Sequence, residues 1–165
     1  MLIQNENRKI KLCNNTLQIM KNYIQKERRD CEAGGILIGR ENAGNTNLII
    51  DFITEPMPED QRYRYKFLRK DTGHINFFQK LYSENEGIYR YIGEWHTHSE
   101  NIPHYSFIDS YNWKRIGKEM KSKQQYHIIV GIQEIGIWEY DAVIKEITQM
   151  DSIKWEEVFR SENMH

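Results

Sequence analysis

The run GEWHTHSENIPHYSFID at residues 93–109 constrains the fold most, because it asks a strand, a loop and a helix to bring three metal-ligand side chains together. Residues 87–92 are rich in Ile, Tyr and Gly and read as the start of a strand that continues through Trp95 and His96. Side chains two apart on a strand share a face, so His96 and His98 point the same way. Their imidazole nitrogens then meet one ion at about 2.0–2.1 Å. Asp109 comes eleven residues after His98, in a segment (107–120) that reads as a helix opened by Ser106. Ser-x-x-Asp is a capping-box-like start. A carboxylate in the first turn of a helix that folds back on the strand end completes a shell of His, His and Asp. Three protein ligands with the fourth position left to water is the catalytic arrangement of zinc rather than the structural one, and its chemistry is hydrolysis. Each part has a plainer reading on its own: His-x-His as two half-exposed polar residues, and Ser106 with Asp109 as a helix cap. Their combination carries the zinc reading.

His96-x-His98, seven residues, Ser106, two residues and Asp109, preceded by the glutamate of Glu32-Ala-Gly-Gly-Ile-Leu-Ile-Gly, resembles the JAMM motif of the JAB/MPN metallopeptidase family. The resemblance covers most of the chain. GEWHTH and the stretch TEPMPEDQRYRYKFLRKDTGH look like the short prokaryotic JAB proteins found beside ubiquitin-like conjugation genes, some of them in anti-phage systems. Ser99 and Tyr105 stand where the family commonly has proline, and neither supplies a ligand. The family implies a zinc-dependent isopeptidase or peptidase acting on the C-terminal tail of a ubiquitin-like protein, with activating and conjugating enzymes as neighbours in the operon. It also implies an α/β fold of the JAB/MPN, cytidine-deaminase-like kind: a single-domain mixed β-sheet sandwiched by helices.

Length and composition agree with one domain. The 165 residues suffice for one core and not comfortably for two, with 1–150 expected as the domain and 151–165 as a C-terminal extension holding a short helix. The hydrophobic fraction is 39% and the charged fraction 28%, no segment approaches the roughly 20 apolar residues of a membrane span, and the start lacks an apolar secretory region. A cytoplasmic location is expected. Two cysteines, Cys13 and Cys31, make no Cys-x-x-Cys motif and read as reduced, with Cys31 a buried thiol rather than a nucleophile. A net charge of −1 gives no bulk footprint for nucleic acid or anionic membrane.

Apolar periodicity predicts an amphipathic helix from 16 to about 29, broken by Gly34-Gly35, then strands at 36–39 and 47–54 joined by a turn at Asn42, Gly44 and Asn45. A loop begins at Pro56 and Pro58, residues 63–68 read as a strand, and 71–82 as a helix. Strands at 126–132, 136–140 and 143–148 follow the motif helix, with a short helix beyond Asp151. The first helix and the motif helix pack on the sheet.

By position alone Glu32 is a solvated residue at a helix-to-strand junction; the family's pattern makes it the general base and acid, moving a proton from the attacking water to the leaving amine. Glu94 shares a face with the histidines but lies roughly 6–7 Å along the strand from His96, so it is expected to support a histidine rather than bind metal. Glu100 reads as solvated or touching substrate. Ser106 caps the helix, and the family's corresponding serine stabilises the oxyanion. Trp95 and Trp113 read as core aromatics, and His74 and His127 as structural. Arg62 and Arg64, on one face of a candidate strand with Tyr63 and Tyr65 on the other, together with Trp95 and His104, are the candidate substrate contacts; a solvated strand face is the plainer reading of the arginines, an acidic docking edge the sharper one. Two other functions compete: processing of a small sulfur-carrier protein, and a non-catalytic module in which the metal only braces the fold.

Overall fold

A computed structural model describes residues 1–120 and 122–160. In chain order it has β1 (Leu2–Gln4), β2 (Lys9–Leu12), α1 (Asn14–Asn22), β3 (Gly34–Glu41), β4 (Leu48–Ile53), β5 (Gln61–Tyr63), β6 (Lys66–Leu68) and α2 (Gly73–Glu84). Then come β7 (Arg90–Thr97), α3 (Phe107–Glu119), β8 (Gln124–Val130), β9 (Glu134–Asp141), β10 (Glu146–Lys154) and α4 (Trp155–Val158). Eight strands form one mixed sheet in the order β1-β2-β4-β3-β7-β8-β9-β10, while β5 and β6 make a separate hairpin. Neighbouring strands run antiparallel except for β2 with β4 and β7 with β8. The expected α/β sheet between helices is therefore present.

Alternation along the central strands explains the layers. Leu37, Trp95, Ile128 and Val130 turn to one face and pack with Leu17 and Met20 of α1 and Trp155 and Val158 of α4. Ile36, Ile38 and Tyr91 turn to the other face, where Ile116 of α3 and the half-buried Phe78 and Leu81 of α2 cover them. Trp113 of α3 adds a third cluster with Ile129 and Trp138. Gly93 lies where β7 presses on β8: a Cβ there would stand 1.8 Å from the Tyr126 carbonyl oxygen, so no larger residue fits this register.

Several boundaries differ from the sequence expectation for identifiable reasons. Helix α1 stops at Asn22 because Gln25 turns inward, 2% exposed. Its amide donates to the carbonyls of Asp30 and Arg64 at 3.2 and 3.0 Å, and its oxygen accepts from the Thr97 hydroxyl. A side chain bonded to loop backbone in this way competes with the helix. The 63–68 segment is a turn of a hairpin, pairing Tyr63 with Lys66, because Arg64 folds back to donate to the Tyr65 hydroxyl and to the carbonyls of Glu27 and Arg28. Val143 and Ile144 are turn residues whose N–H groups donate to Asp141, so the last strand starts at Glu146. That strand runs through residue 150 to Lys154; residues 161–165 of the expected extension lie outside the described residues. Cys13 and Cys31 are both free and half-buried, so Cys31 is not the fully buried thiol expected. No described helix is long and apolar enough to cross a membrane.

His127 is fully buried, stacked on Trp113 with ring centroids 4.6 Å apart. Its Nδ1 accepts the Glu94 N–H at 3.2 Å, which leaves Nε2 to donate to Gln125 Oε1 at 3.3 Å. Burial, reinforced by His96, pushes its pKa down to about 3 from the ordinary 6.5. The unfolded chain therefore binds the proton more readily, and this group's stability contribution is complete above pH 6.5 and lost as pH falls toward 3. Urea midpoints measured from pH 7 to pH 4 should fall more steeply for wild type than for His127→Gln.

Candidate metal centre and active site

Strand pairing and one helix cap build the site. In the β3–β7 register Gly34 lies opposite His96, and the Thr97 N–H donates to the Ala33 carbonyl at 2.9 Å. Continuing that antiparallel pairing places residue 32 beside residue 98, and Glu32 Oε1 lies 3.9 Å from His98 Nε2. His96 is at the end of β7, whose parallel neighbour β8 is reached through α3, so the site sits at the carboxyl end of a parallel strand, a common ligand position in α/β sheets. Helix α3 brings the third group. The Ser106 hydroxyl accepts the Asp109 N–H at 3.1 Å, and the Asp109 carboxylate accepts the Ser106 N–H at 2.7 Å, a complete capping box. The cap fixes the carboxylate over the strand end.

His96, His98 and Asp109 offer ligand atoms that all lie within 4.8 Å of one another, and each residue is half-buried. Nε2 of His96 and Nε2 of His98 are 3.0 Å apart, with Asp109 oxygens 3.2 and 3.3 Å from them. Tetrahedral zinc with nitrogen ligands at 2.0–2.1 Å sets them about 3.3 Å apart. Two imidazole nitrogens and one carboxylate converging at this spacing suit a borderline cation such as zinc. Electrostatics agree. Burial alone would raise the Asp109 carboxyl, but hydrogen bonds from His96 and His98, their charge and the Ser106 N–H hold it far below the carboxylate range. Burial would lower His98; the hydrogen bond and charge of Asp109, with Glu32 and Glu100 nearby, raise it instead.

Glu32 is buried, 6% exposed, and the β5–β6 hairpin grips it from three sides. Its N–H donates to the Tyr63 carbonyl at 2.8 Å, its carbonyl accepts from Arg62 Nε at 2.9 Å, and the Phe67 N–H faces its carboxylate. Gly34 permits this: a Cβ there would meet the Phe67 ring at 2.7 Å and the Trp95 carbonyl at 2.5 Å. Burial pushes the Glu32 pKa up to about 7, against the lowering effect of His96 and His98 and with a further raise from Asp109. A carboxyl titrating near neutrality is suited to take up and return a proton.

A cleft of about 550 Å³ opens over these groups, with Arg64, Lys66, Lys70 and Arg115 on its walls. Of the substrate-contact candidates, Arg64 lines this cleft, whereas Arg62 is spent on the backbone of Glu32 and Cys31. Trp95 is 1% exposed and donates to the Thr54 carbonyl at 2.9 Å, a core position with only an edge at the cleft. His104 is exposed and hangs from Glu100, to which its N–H donates at 2.9 Å. Glu94 supports no histidine through its carboxylate. Arg69 claims that group at 2.8 Å, together with the Tyr91 hydroxyl at 2.9 Å. Glu100 instead approaches His98 Nδ1 at 3.6 Å. Arg69 and Phe67 escaped the sequence reading because their partners are 25 and more residues away, and only the alternation of residues 66–70 hinted at a shared face.

The family described as prokaryotic homologs of the JAB domain matches residues 18–143. A Pseudomonas aeruginosa protein named CD-NTase/cGAS isopeptidase is 35% identical over 117 residues, covering 70% of this chain and 73% of its own. One of the same name from Escherichia coli is 36% identical over 118 residues, covering 72% and 73%. The solution structure of a Desulfitobacterium hafniense protein superposes with a TM-score of 0.57 at 16% identity, over 85% of this chain and 88% of that one, a likeness of fold.

Proposed function

The chain belongs to the prokaryotic homologs of the JAB domain, and from that premise we propose that it is a zinc-dependent isopeptidase, releasing a protein joined through its C-terminal tail to a target amine. The observation that carries this is the convergence of His96, His98 and Asp109 beside the buried Glu32 in an open cleft. The relatives' names favour an isopeptidase over a sulfur-carrier peptidase, and make a CD-NTase/cGAS-type conjugate the first substrate to try, alongside a ubiquitin-like one.

His96, His98 and Asp109 would hold the ion, which when bound acts as a Lewis acid and lowers the pKa of water. Glu32 accepts a proton from the attacking water as the new C–O bond forms, and returns it to the amine nitrogen as the C–N bond breaks. One group makes both transfers, so no net proton is stored. Ser106 Oγ is an acceptor in the helix cap, so its own O–H remains available to donate to the developing oxyanion. Asp109 keeps its charge through its histidine and backbone partners, and the Tyr63, Arg62 and Phe67 contacts keep Glu32 aimed.

The roles of Ser106 are separable. Ser106→Ala should lower kcat about 100-fold or more if the hydroxyl stabilises the oxyanion, while loss of the cap alone costs about 1 kcal/mol of stability. Steady-state kinetics beside urea denaturation of the same variant distinguishes the two.

The proposal itself is tested with a ubiquitin-like protein and a CD-NTase/cGAS-type protein, each linked through its C-terminal carboxyl to a lysine side chain. Metal-loaded protein should release the intact tail with a free carboxylate, seen by mass spectrometry as addition of one water. Failure to cut any isopeptide probe with one metal bound would overturn the reading in favour of a metal-braced interaction module.

A further inference from the structure

Thr54, Asp60 and His74 form a second constellation of chemically capable side chains, set away from the cleft. His74 Nδ1 meets the Thr54 hydroxyl at 2.5 Å, and its Nε2 meets Asp60 Oδ2 at 2.7 Å. The order resembles a hydroxyl–imidazole–carboxylate relay, but it is sealed. The His74 and Asp60 side chains are 0% exposed, Thr54 Oγ1 already accepts the Ile36 N–H at 2.9 Å, and the three residues line neither of the two main clefts. No substrate could reach that hydroxyl.

Its partners show another use. Asp60 Oδ1 accepts the N–H groups of Lys70 and Asp71 at 2.8 and 2.9 Å, and Oδ2 accepts the Met57 N–H at 2.8 Å. Those backbone groups lie on either side of the β5–β6 hairpin, so a single carboxylate ties the hairpin's two ends together. Asp71 adds a second tie, accepting the Glu59 N–H at 3.0 Å. His74, on the first turn of α2, anchors that carboxylate to the helix and, through Thr54, to β3. Four donors to one buried carboxylate make a rigid junction. From it springs the hairpin that supplies three contacts to Glu32: the Tyr63 carbonyl, Arg62 Nε and the Phe67 N–H.

We propose that Asp60 and His74 are positioning residues for the reaction: their buried pair fixes the base of the hairpin, and the hairpin in turn holds Glu32 in its working place. This rests on the isopeptidase reading for its kinetic consequence alone; the mechanical link stands on the hydrogen bonds. The metal ligands hang from β7, the loop after it and α3, whereas the Asp60 carboxylate is bonded to Met57, Lys70, Asp71 and His74.

Three variants test it: Asp60→Asn, which loses one acceptor; His74→Phe, which removes the anchor; and His74→Gln, whose amide restores a donor to Asp60. Each is compared with wild type for metal content, amide hydrogen exchange and rate on an isopeptide probe. Expected for Asp60→Asn and His74→Phe are one metal per chain, selective loss of protection in residues 61–68 and at the Glu32 amide, unchanged protection in β7 and β8, and a kcat lower by about 10- to 100-fold. His74→Gln should recover most of the loss. In a Glu32→Gln background the same substitutions should lower the residual rate no further, because they act through Glu32. Unchanged hairpin protection, or losses that add to that of Glu32→Gln, would overturn the proposal. If wild type cuts no probe, the enzyme reading fails while hydrogen exchange still decides whether the clamp exists. If His74→Phe does not fold, Asp60→Asn and His74→Gln carry the same comparisons.

Discussion

Glu32→Gln is expected to lower kcat by about 10²–10⁴-fold while leaving one metal per chain. Glutamine keeps the shape of the side chain and an oxygen to accept the Phe67 N–H, and the backbone bonds to Tyr63 and Arg62 are untouched. What disappears is a group able to take a proton and give it back. A stability signature accompanies the kinetic one. With its folded pKa raised to about 7 from 4.5 by burial, Glu32 favours the folded state fully below about pH 4.5 and loses that contribution as pH rises toward 7. Metal-free wild type should therefore lose stability over that window relative to metal-free Glu32→Gln, a difference readable in thermal midpoints. Unchanged turnover in the variant would assign the proton transfers to another group.

Asp109→Asn should separate the ligand role of this residue from its role as a cap. An asparagine oxygen can still accept the Ser106 N–H, and the Asp109 N–H bond to Ser106 Oγ is retained, so helix α3 should lose no more than about 1 kcal/mol. The negative charge held between His96 and His98 is gone, however, and with it the third proposed ligand. Loss of an outer partner of a metal ligand costs about 10–100-fold in affinity, and loss of a ligand should exceed that, with activity falling in parallel. Metal titration beside far-ultraviolet circular dichroism reads both effects. A variant that binds metal as wild type does would reduce Asp109 to a helix cap.

The convergence of His96, His98 and Asp109 was legible in the sequence because its information is local: a two-residue spacing on a strand and a three-residue spacing at a helix start. Glu32 was harder. Its place beside His98 comes from the β3–β7 register, a pairing of residues more than sixty apart, and only the resemblance to the JAMM pattern singled it out. The hairpin has the pattern of a single strand in sequence, because alternation of aromatic and charged residues does not reveal where Arg64 reverses the chain. Asp60 gave no local signal, and His74 and Arg69 gave too little to name a partner, since each is bonded to a group brought near by tertiary folding. The short strands β1 and β2 carried an alternating burial pattern too brief to be read.

The most direct measurement strips the wild-type protein with a chelator, verifies the metal-free state by native mass spectrometry, and follows cleavage of the isopeptide-linked probe before and after adding back one equivalent of zinc. Cleavage should be lost on stripping and restored by zinc, with no restoration in Glu32→Gln. Undiminished cleavage by verified metal-free protein would contradict a metal-dependent mechanism.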